Sequence, residues 1–391
     1  MTDAASLAQR GVLVVMNTLG RGGGDRVAIL LANGFADAGI PTRIVLMTDP
    51  DRSEAEIKSL FRDVSVVSAG PAMGIKFSER RPAFGHQQFE RFRGVKFLRR
   101  QIDGFRPAVV LGASDNLGLI LALARRQTDC GIVFALKLTN RLFRPNSGRA
   151  RRLFRHAMFK FIFDRLDLVL TLTDADRSDA LANYPAASFE TVANPYVTNE
   201  MLDRRPSRTP GAPRLLAAGR MVSQKRFDVL LRAFALSGHV DANLTILGDG
   251  PVRPALERLA LSLGIADRVD MPGFVGDTVA WLSRADLFLL SSDYEGLPAV
   301  LIEALACNVP VVTTDSFLAA RELLGGCKSC AVVPIGDPQA LADGIDRCLA
   351  RHASEDLRKI AEPYRIDAAI RAHVDALTSA VDAQNRTETP V

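Results

Sequence analysis

The chain has 391 residues, of which 48% are hydrophobic and 24% charged, and its formal net charge is +5. This length allows two or three domains with their own cores, and the composition excludes an intrinsically disordered chain. The sequence has no apolar run of about 18 residues, so no bilayer-spanning helix is predicted. The apolar run Val12–Met16 is too short for a signal peptide, and a cytoplasmic location is therefore expected.

Short β-branched runs alternate with amphipathic stretches of helical length along the chain. The strands predicted for the first half are Val12–Met16, Arg43–Met47, Val64–Val67, Ala108–Leu111, Ile132–Ala135 and Leu168–Leu172. Those predicted for the second half are Arg214–Ala218, Leu244–Leu247, Arg268–Met271, Leu287–Leu290, Val309–Thr313 and Ala331–Val333. The predicted helices between them include Arg26–Ala38, Phe227–Leu236 and Val252–Leu263. Such alternation predicts parallel sheets with helices on both faces.

The strands fall into two groups of six, separated by a segment rich in Pro, Ser and Arg. We predict an α/β fold with two Rossmann-like, doubly wound parallel-sheet domains facing across a cleft, where such sheets bind ligands. The expected N-terminal domain is residues 1–200, the linker 201–213 and the C-terminal domain 214–365. Residues 366–391 are expected to form a C-terminal helix that packs back on the N-terminal domain and ends in a frayed tail.

Basic residues alternate with phenylalanines in the segment Arg141–Arg165. It holds eight Lys or Arg residues against one acid, Asp164. Basic residues beside aromatic ones suit an anionic membrane surface, and they also suit nucleic acid. A third interpretation is a solvated helix face whose apolar side lies in the core. Because the sequence has no nucleic-acid motif elsewhere, we prefer the membrane to nucleic acid.

The strongest chemical pattern lies between Ser291 and Asp315. A predicted buried strand leads into a polar loop with Glu295 and Gly296, and an apolar helix follows that contains one acid, Glu303. A glutamate in such a helix needs polar partners, and the two hydroxyls of a ribose are suitable ones. The free N–H groups at the start of the helix can bind phosphate. The alternative is a Glu303 that caps a helix or forms an ion pair.

A second pattern follows the predicted strand Arg214–Ala218. Gly219 lets the backbone turn closely past a ligand, while Arg220 and Lys225 supply two positive charges that suit a diphosphate. Without other support, this loop is more simply a solvated basic loop. The turn Gly248–Pro251 follows the next predicted strand and has the composition of a tight turn.

A third pattern consists of the glycines that precede the helix Arg26–Ala38. Gly22, Gly23 and Gly24 can bring backbone amides close to a phosphate. Their spacing does not match G-x-G-x-x-G, so the pattern does not favour an NAD-dependent dehydrogenase.

The C-terminal half of the chain resembles the retaining glycosyltransferases of family 4, also called glycosyl transferases group 1, which have the GT-B fold. The matching stretches are residues 219–234, 244–260, 268–275, 285–315 and 332–345. The N-terminal half is similar more loosely, through residues 22–40, 165–181 and 192–197. The most specific feature is the pair Glu295 and Glu303, which stand eight residues apart with Gly-Leu-Pro between them.

The resemblance implies a role for each matching residue. Arg220 and Lys225 would bind the donor diphosphate and stabilise the leaving group, Glu295 would face the donor sugar, and Glu303 the ribose. The remaining donor contacts would come from the backbone of Gly296, Leu297, Pro298 and Ala299, from Gly219, and from Gly22, Gly23 and Gly24 of the other domain. Glu295, Arg220 and Lys225 would be the catalytic residues.

The sequence departs from the family pattern in two places. Family members often carry a histidine where this chain has Ser114, Asp115 and Asn116, and we expect Asp115 or Asn116 to contact the sugar or the acceptor instead. The glycine-rich loop usual after Thr314 is replaced by residues 316–324, which leaves Glu322 as a weak candidate.

The resemblance implies a retaining glycosyltransferase that moves a hexose or N-acetylhexosamine from a nucleotide-sugar to a glycan or lipid-linked acceptor in polysaccharide assembly. A UDP-sugar is preferred, and GDP-mannose stays open. Neither a metal nor a cofactor is required, and a peripheral position on the cytoplasmic face of the inner membrane is expected. The alternatives are a sugar-nucleotide epimerase of the same fold and a non-catalytic partner protein that binds sugar nucleotides.

Overall fold

The computed structural model describes residues 6–20, 22–48, 52–69, 84–125, 131–142, 148–203, 211–350 and 355–388. The chain divides into two compact units, Met1–Pro195 with Ile366–Val391, and Tyr196–Arg365. The C-terminal segment is thus part of the first unit. Residues 201–203, placed in the linker from the sequence, belong to a helix of the second unit, while residues 204–210 of that linker lie outside the described residues.

The first unit contains a parallel sheet of seven strands. In chain order they are β1 (Val12–Met16), β2 (Thr42–Leu46), β3 (Ser65–Ser68), β4 (Val109–Gly112), β5 (Val133–Lys137), β6 (Leu168–Thr171) and β7 (Phe189–Thr191). Their order in the sheet is β3-β2-β1-β4-β5-β6-β7. The direction of winding reverses between β1 and β4, which makes the carboxyl ends of these two strands the switch point where such sheets bind ligands.

Helices cover both faces of this sheet. They are α1 (Leu7–Arg10), α2 (Gly23–Asp37), α3 (Glu54–Leu60), α4 (Phe84–Phe105), α5 (Gly118–Arg125), α6 (Arg149–Phe163) and α7 (Asp174–Asn183), together with the last helix of the chain, α16 (Ile366–Glu388). α16 packs on α2 and β5. A Cβ atom at Gly34 would overlap the side chain of Ile370, so this glycine allows α2 and α16 to approach closely.

The second unit contains a parallel sheet of six strands. They are β8 (Arg214–Ala218), β9 (Asn243–Leu247), β10 (Val269–Gly273), β11 (Leu287–Leu290), β12 (Val311–Thr314) and β13 (Ala331–Val333). The order β10-β9-β8-β11-β12-β13 reverses between β8 and β11. Because helices cover both faces of such a sheet, its central strands are continuous apolar runs, and β11 and β12 are buried at every residue.

Most helices of the second unit connect successive parallel strands, while the first precedes β8 and the last two follow β13. They are α8 (Asn199–Asp203), α9 (Phe227–Leu236), α10 (Arg253–Ser262), α11 (Thr278–Leu282), α12 (Ala299–Ala306), α13 (Ala320–Leu324), α14 (Pro338–Ala350) and α15 (Arg358–Ala361). α9 and α14 pack against each other through buried residues such as Leu230 and Leu341. The sheet fixes where each strand ends. The loops that follow β8 and β11 therefore begin side by side at the carboxyl edge of the sheet.

Two titratable side chains lie in the interior of the first unit. Lys137, at the end of β5, is 1% exposed, and its Nζ donates a hydrogen bond of 3.3 Å to the carbonyl of Val192. His373 on α16 is fully buried, with its Nδ1 2.7 Å from the carbonyl oxygen of Ala369. Burial lowers the pKa of Lys137 to about 7. Burial and, secondly, the charge of Lys137 lower the pKa of His373 well below its usual value.

Candidate functional site

The loop after β8 is held by the turn after β9. The amide of Gly219 donates to the carbonyl of Leu247 at 2.9 Å, and the amide of Met221 donates to that of Asp249 at 2.8 Å. A Cβ atom at Gly248 would overlap the carbonyl oxygen of Gly219, and one at Gly250 that of Met221. The two loops therefore pack backbone against backbone, and the glycines of the turn serve this packing. Gly219 itself has a φ of 154°, which favours glycine.

The same loop is also bound to the loop after β11. The hydroxyl of Ser291 donates to the carbonyl of Lys225 at 2.8 Å, and the side-chain amide of Gln224 donates to the carbonyl of Tyr294 at 2.7 Å. The amide of Asp293 donates to the carbonyl of Gln224 at 2.9 Å. These bonds join the carboxyl ends of β8 and β11, the two strands of the switch point.

Arg226 joins the two loops through its side chain. Its backbone is left-handed, with a φ of 48°, where it precedes α9. The guanidinium donates to both carboxylate oxygens of Asp228, at 3.0 and 3.2 Å, and to Asp293 at 3.0 Å. The hydrogen bonds that Arg226 donates to Asp228 are the main cause that raises the pKa of Arg226. The uncommon backbone conformation persists because these contacts fix it.

Lys225 and Glu295 meet at the centre of this arrangement. The ammonium of Lys225 lies 2.6 Å from Oε1 of Glu295, and the hydroxyl of Ser292 donates to the same oxygen at 2.6 Å. The side chains of Lys225 and Glu295 are 18% and 11% exposed. Within the described part of the chain Oε2 of Glu295 has no hydrogen-bond donor. One oxygen of this carboxylate is therefore fixed, and the other can accept hydrogen bonds from a ligand.

Arg220 is the remaining cation of this loop, and it is exposed. Its guanidinium forms no hydrogen bond or ion pair with any residue that the structure describes. Of the three cations on this short loop, Lys225 and Arg226 are paired with carboxylates, and Arg220 is open to an anionic ligand.

Glu303 lies within α12. It is 4% exposed, between Ile302 and Ala304, which are fully buried. The ribose contact predicted for Glu303 requires a buried carboxylate, and a carboxylate exposed to solvent would have excluded that contact. The ribose contact itself stays a prediction.

The four residues before and at the start of α12 are largely shielded from solvent. Gly296, Leu297 and Pro298 are buried, Ala299 is half-buried, and the carbonyl of Leu297 accepts a hydrogen bond of 3.2 Å from the hydroxyl of Tyr196. Pro298 has no N–H group, so the predicted contribution of backbone amides is limited to the other three residues.

Gly22, Gly23 and Gly24 form the start of α2. The amide of Gly22 donates to a carboxylate oxygen of Asp25 at 3.1 Å. A Cβ atom at Gly23 or Gly24 would meet no atom within 4 Å. The described fold therefore does not require glycine at 23 and 24, although glycine inside a helix is less favourable than alanine by about 1 kcal/mol. Close approach of a ligand would explain these two glycines.

Asp115 and Asn116 lie just after the carboxyl end of β4, at the switch point of the first sheet. Asp115 is half-buried, and its Oδ1 accepts a hydrogen bond of 2.6 Å from the hydroxyl of Thr139. Asn116 is exposed and is the freer of the two to contact a ligand. Glu322 is exposed on α13.

Sequence reasoning did not find Ser292, Arg226 or Asp293. The three have ordinary polar side chains in loops, and only the fold brings Ser292 to Glu295 and Arg226 to Asp293. Ser292 is the second residue after β11, and this position near the end of a predicted strand is the signal that the sequence carried.

The described residues contain neither a candidate membrane span nor a candidate metal site. No helix in the described part of the chain has both the length and the hydrophobicity that a bilayer span needs. Among the described residues, no group of three or more His, Cys, Asp or Glu side chains is placed to hold a metal ion.

The two sheets define the class of fold. Each is parallel and doubly wound with its own switch point, which is the architecture of the GT-B fold predicted from the sequence. The solved structure of HepE from Anabaena, in complex with UDP, superposes with a TM-score of 0.70 at 17% identity. The match covers 96% of this chain and 100% of that one. The predicted fold class is confirmed.

Sequence comparison gives the family. A model described as "Glycosyl transferase 4-like domain" matches residues 22–195, and one described as "Glycosyl transferases group 1" matches residues 212–351. The chain therefore belongs to the group 1 glycosyltransferases, which confirms the predicted family.

Two curated relatives are similar over part of their length. The lipopolysaccharide core biosynthesis glycosyltransferase LpsE of Rhizobium meliloti is 36% identical over 150 residues, which are 38% of this chain and 43% of LpsE. The N-acetylgalactosamine-N,N'-diacetylbacillosaminyl-diphospho-undecaprenol 4-alpha-N-acetylgalactosaminyltransferase of Campylobacter jejuni is 32% identical over 158 residues, 40% of this chain and 41% of that one. The chain thus spans less than half the length of each of these relatives.

Proposed function

We propose that the chain is a retaining glycosyltransferase that moves a hexose or N-acetylhexosamine from a UDP-sugar to a glycan or lipid-linked acceptor in cell-surface polysaccharide assembly. The observation that carries this proposal is the contact between Lys225 and Glu295 beside the exposed Arg220, at the switch point of the second sheet. Membership of the glycosyltransferase family supports it, as does a structural neighbour that binds UDP.

Arg220 and Lys225 would bind the donor diphosphate. Breaking the bond between the sugar and the diphosphate leaves negative charge on the phosphate oxygens, and preorganised cations lower the energy of that state. Lys225 can bind the phosphate while it stays hydrogen-bonded to Glu295, because its ammonium has three N–H donors and the bond to Glu295 uses one of them. The free amides at the start of α12 add a favourable dipole.

Glu295 and Glu303 would bind the two sugars of the donor. Oε1 of Glu295 is held by Lys225 and Ser292, so its orientation is fixed and Oε2 can accept a hydroxyl of the transferred sugar. Glu303, buried in α12, would accept the ribose hydroxyls. Retention of the anomeric configuration is part of the proposal on grounds of family resemblance.

The first unit would supply the contacts with the acceptor. Asp115 and Asn116 would contact the sugar or the acceptor, and Gly22, Gly23 and Gly24 would approach the diphosphate. Attachment to an anionic membrane through Arg141–Arg165, on the cytoplasmic face, would bring the protein to a lipid-linked acceptor. The acceptor named for the Campylobacter jejuni relative, a diphospho-undecaprenol-linked sugar, supports this part.

A thermal-shift screen tests the donor. A ligand that binds only the native state raises its apparent stability, so UDP and UDP-sugars are expected to raise Tm more than GDP and GDP-mannose. Arg220→Ala should reduce the UDP shift, whereas Arg232→Ala, another exposed arginine of the second unit, should not. A GDP-specific shift would replace UDP in the proposal, and no shift with any nucleotide would remove the donor site.

Product analysis separates the alternatives. A transferase releases UDP and glycosylated acceptor, whereas an epimerase converts a UDP-sugar alone into its stereoisomer. A non-catalytic partner protein would show the thermal shift without any turnover.

A further inference from the structure

The first two turns of α6 are exposed on all sides. Every residue from 148 to 154 is exposed, including two neighbouring apolar side chains, Leu153 at 70% and Phe154 at 73%. The second half of the same helix is a core element, with Phe159, Ile162 and Phe163 buried. The helix therefore begins outside the packed body of its unit and ends inside it.

The basic residues divide in the same way. Arg155 donates to the carbonyl of Leu142 at 2.6 Å and lies over the ring of Phe159, and Lys160 pairs with Asp164 at 2.8 Å. These cations stabilise the fold, which agrees with the interpretation of the segment as an ordinary solvated helix face. That interpretation does not extend to the first two turns, because their apolar side chains face solvent.

Three arginines precede the two exposed apolar side chains on the same helix. Arg149, Arg151 and Arg152 are all exposed, and no acid occurs between Gly148 and Phe163. Adjacent exposed leucine and phenylalanine are unfavourable in water, while an amphipathic element with cations and apolar side chains suits the boundary between lipid headgroups and acyl chains. Nucleic acid would use the arginines and could stack on Phe154, but it would leave Leu153 in water.

We propose that the first two turns of α6 are a membrane-inserting element. Leu153 and Phe154 would enter the headgroup and acyl boundary of an anionic bilayer, and the arginines would lie against the lipid phosphates. The inference rests on the proposed function, because a lipid-linked acceptor lies in the membrane and gives the protein a reason to bind there. It narrows the predicted membrane contact from the segment Arg141–Arg165 to residues 148–154.

Vesicle sedimentation of the full chain, without donor or acceptor, tests the inference. The wild type is expected to bind vesicles that contain the anionic lipid phosphatidylglycerol in phosphatidylcholine, and not vesicles of phosphatidylcholine alone. The double variant Leu153→Ser/Phe154→Ser should weaken binding about tenfold or more, because it removes two apolar side chains from the boundary. Arg149→Ser/Arg151→Ser should weaken it by a similar factor and reduce its dependence on salt.

The matched control is Arg258→Ser/Leu261→Ser on α10. These two residues are also exposed on a helix, with Leu261 69% exposed, and their substitution should leave binding unchanged. Full binding by the Leu153 and Phe154 variant would overturn the inference. So would a loss of vesicle binding in competition with an oligonucleotide, because that would identify the surface as a nucleic-acid site. Neither result would affect the donor-binding tests, which use soluble nucleotides.

A fluorescent probe reports insertion directly. The chain has one tryptophan, Trp281, and Phe154→Trp adds a second at the exposed position. On addition of anionic vesicles, the emission of this variant should shift to shorter wavelength and be quenched by brominated acyl chains, beyond any change in the wild type. Emission that matches that of the wild type in the presence of vesicles would show that residue 154 stays in water.

Discussion

The ammonium of Lys225 lies 2.6 Å from the carboxylate of Glu295, although 70 residues of chain separate them. The contact is possible because β8 and β11 are neighbours in the sheet and end at the same edge. It couples the predicted diphosphate cation to the predicted sugar ligand. A change in either side chain is therefore expected to affect both parts of donor recognition.

Loss of either cation should reduce turnover. Arg220→Ala and Lys225→Ala each remove a positive charge that would stabilise the leaving diphosphate, and loss of one such contact in comparable sites costs about 3–4 kcal/mol. Turnover with the true donor is expected to fall roughly a hundredfold or more. Wild-type turnover in either variant would contradict the assignment.

The two variants should differ in stability. Arg220 is exposed and has no partner among the described residues, so Arg220→Ala should leave Tm unchanged. Lys225→Ala removes the cation beside a carboxylate that is 11% exposed, which leaves a largely buried charge unpaired and should lower Tm. Differential scanning calorimetry of the two proteins without ligand measures this difference, and equal Tm values would argue that the ion pair contributes nothing.

Ser292 should act by positioning Glu295. Ser292→Ala removes the hydroxyl that donates to Oε1, so the carboxylate loses one of its two anchors. We expect kcat to fall roughly tenfold, as for the loss of a neutral hydrogen bond that aligns a reacting group, with the Kd of UDP unchanged. Calorimetric titration with UDP and steady-state kinetics measure the two effects separately.

Ser291→Ala is the control for this variant. Its hydroxyl bonds the backbone of Lys225 rather than Glu295, so it should lower Tm without a specific loss in kcat. If Ser292→Ala weakened UDP binding as much as turnover, Ser292 would be a structural residue of the loop.

Glycines 23 and 24 offer a test in which stability and activity should change in opposite directions. A Cβ atom fits at both positions, and alanine favours helix over glycine, so Gly23→Ala and Gly24→Ala should raise stability by up to about 1 kcal/mol. If a diphosphate approaches this backbone, the added methyl groups should reduce activity by an order of magnitude or more. Gly34→Ala, whose Cβ would overlap Ile370, should instead destabilise the first unit. Stabilised variants with full activity would show that no ligand comes close to these glycines.

Activity is expected to be independent of metal. If Arg220 and Lys225 neutralise the leaving diphosphate, treatment with EDTA should leave turnover unchanged, and added Mg²⁺ should not increase it. A loss of activity in EDTA that Mg²⁺ or Mn²⁺ restores would mean that a divalent ion supplies part of the neutralising charge.

Much of the fold followed from periodicity. Strands that are covered on both faces are continuous apolar runs, so β1, β8, β11 and β13 were predicted with the bounds that the structure has. β7 was not predicted, because its three residues, Phe189–Thr191, include Glu190 and Thr191 and do not form an apolar run. Pairing order is a tertiary property, so the switch points were expected from the fold class and not from any residue.

The sequence predicted where the residues of the site lie, and it did not predict which of their side chains contact each other. Gly219, Arg220, Lys225, Glu295 and Gly296 follow predicted strands, and carboxyl ends of parallel strands bind ligands, so their importance could be inferred. The sequence could not show that Ser292 and Lys225 meet at one oxygen of Glu295, since this depends on side-chain directions in two loops. Nor could it show that Leu153 and Phe154 are exposed whereas Phe159 and Phe163 are buried, because apolar side chains stand beside basic ones in both parts of α6.

Stability of the first unit should fall as the pH is lowered, because of Lys137. Its pKa is about 7 in the folded protein and near the ordinary value of 10.5 when the chain unfolds. Between pH 7 and 10.5 the unfolded state binds a proton that the folded state does not. The free energy of unfolding is therefore largest at the high end of this pH range and decreases as the pH falls towards 7. His373 extends the loss below pH 6.5, since its folded pKa is lowered as well. The slope from one such group is at most about 1.4 kcal/mol per pH unit.

Lys137→Met removes the first of these effects. The variant should be more stable than the wild type at pH 7, and its free energy of unfolding should change less between pH 7 and 10. Lys96→Met, at an exposed position of the same unit, should keep the wild-type slope. Urea unfolding at several pH values measures the slope, and hydrogen exchange of peptides from α16 assigns the transition to the first unit, because α16 covers Lys137 at β5. An unchanged slope in Lys137→Met would mean that this lysine stays protonated in the folded protein, with its charge solvated or paired in a way that its burial does not predict.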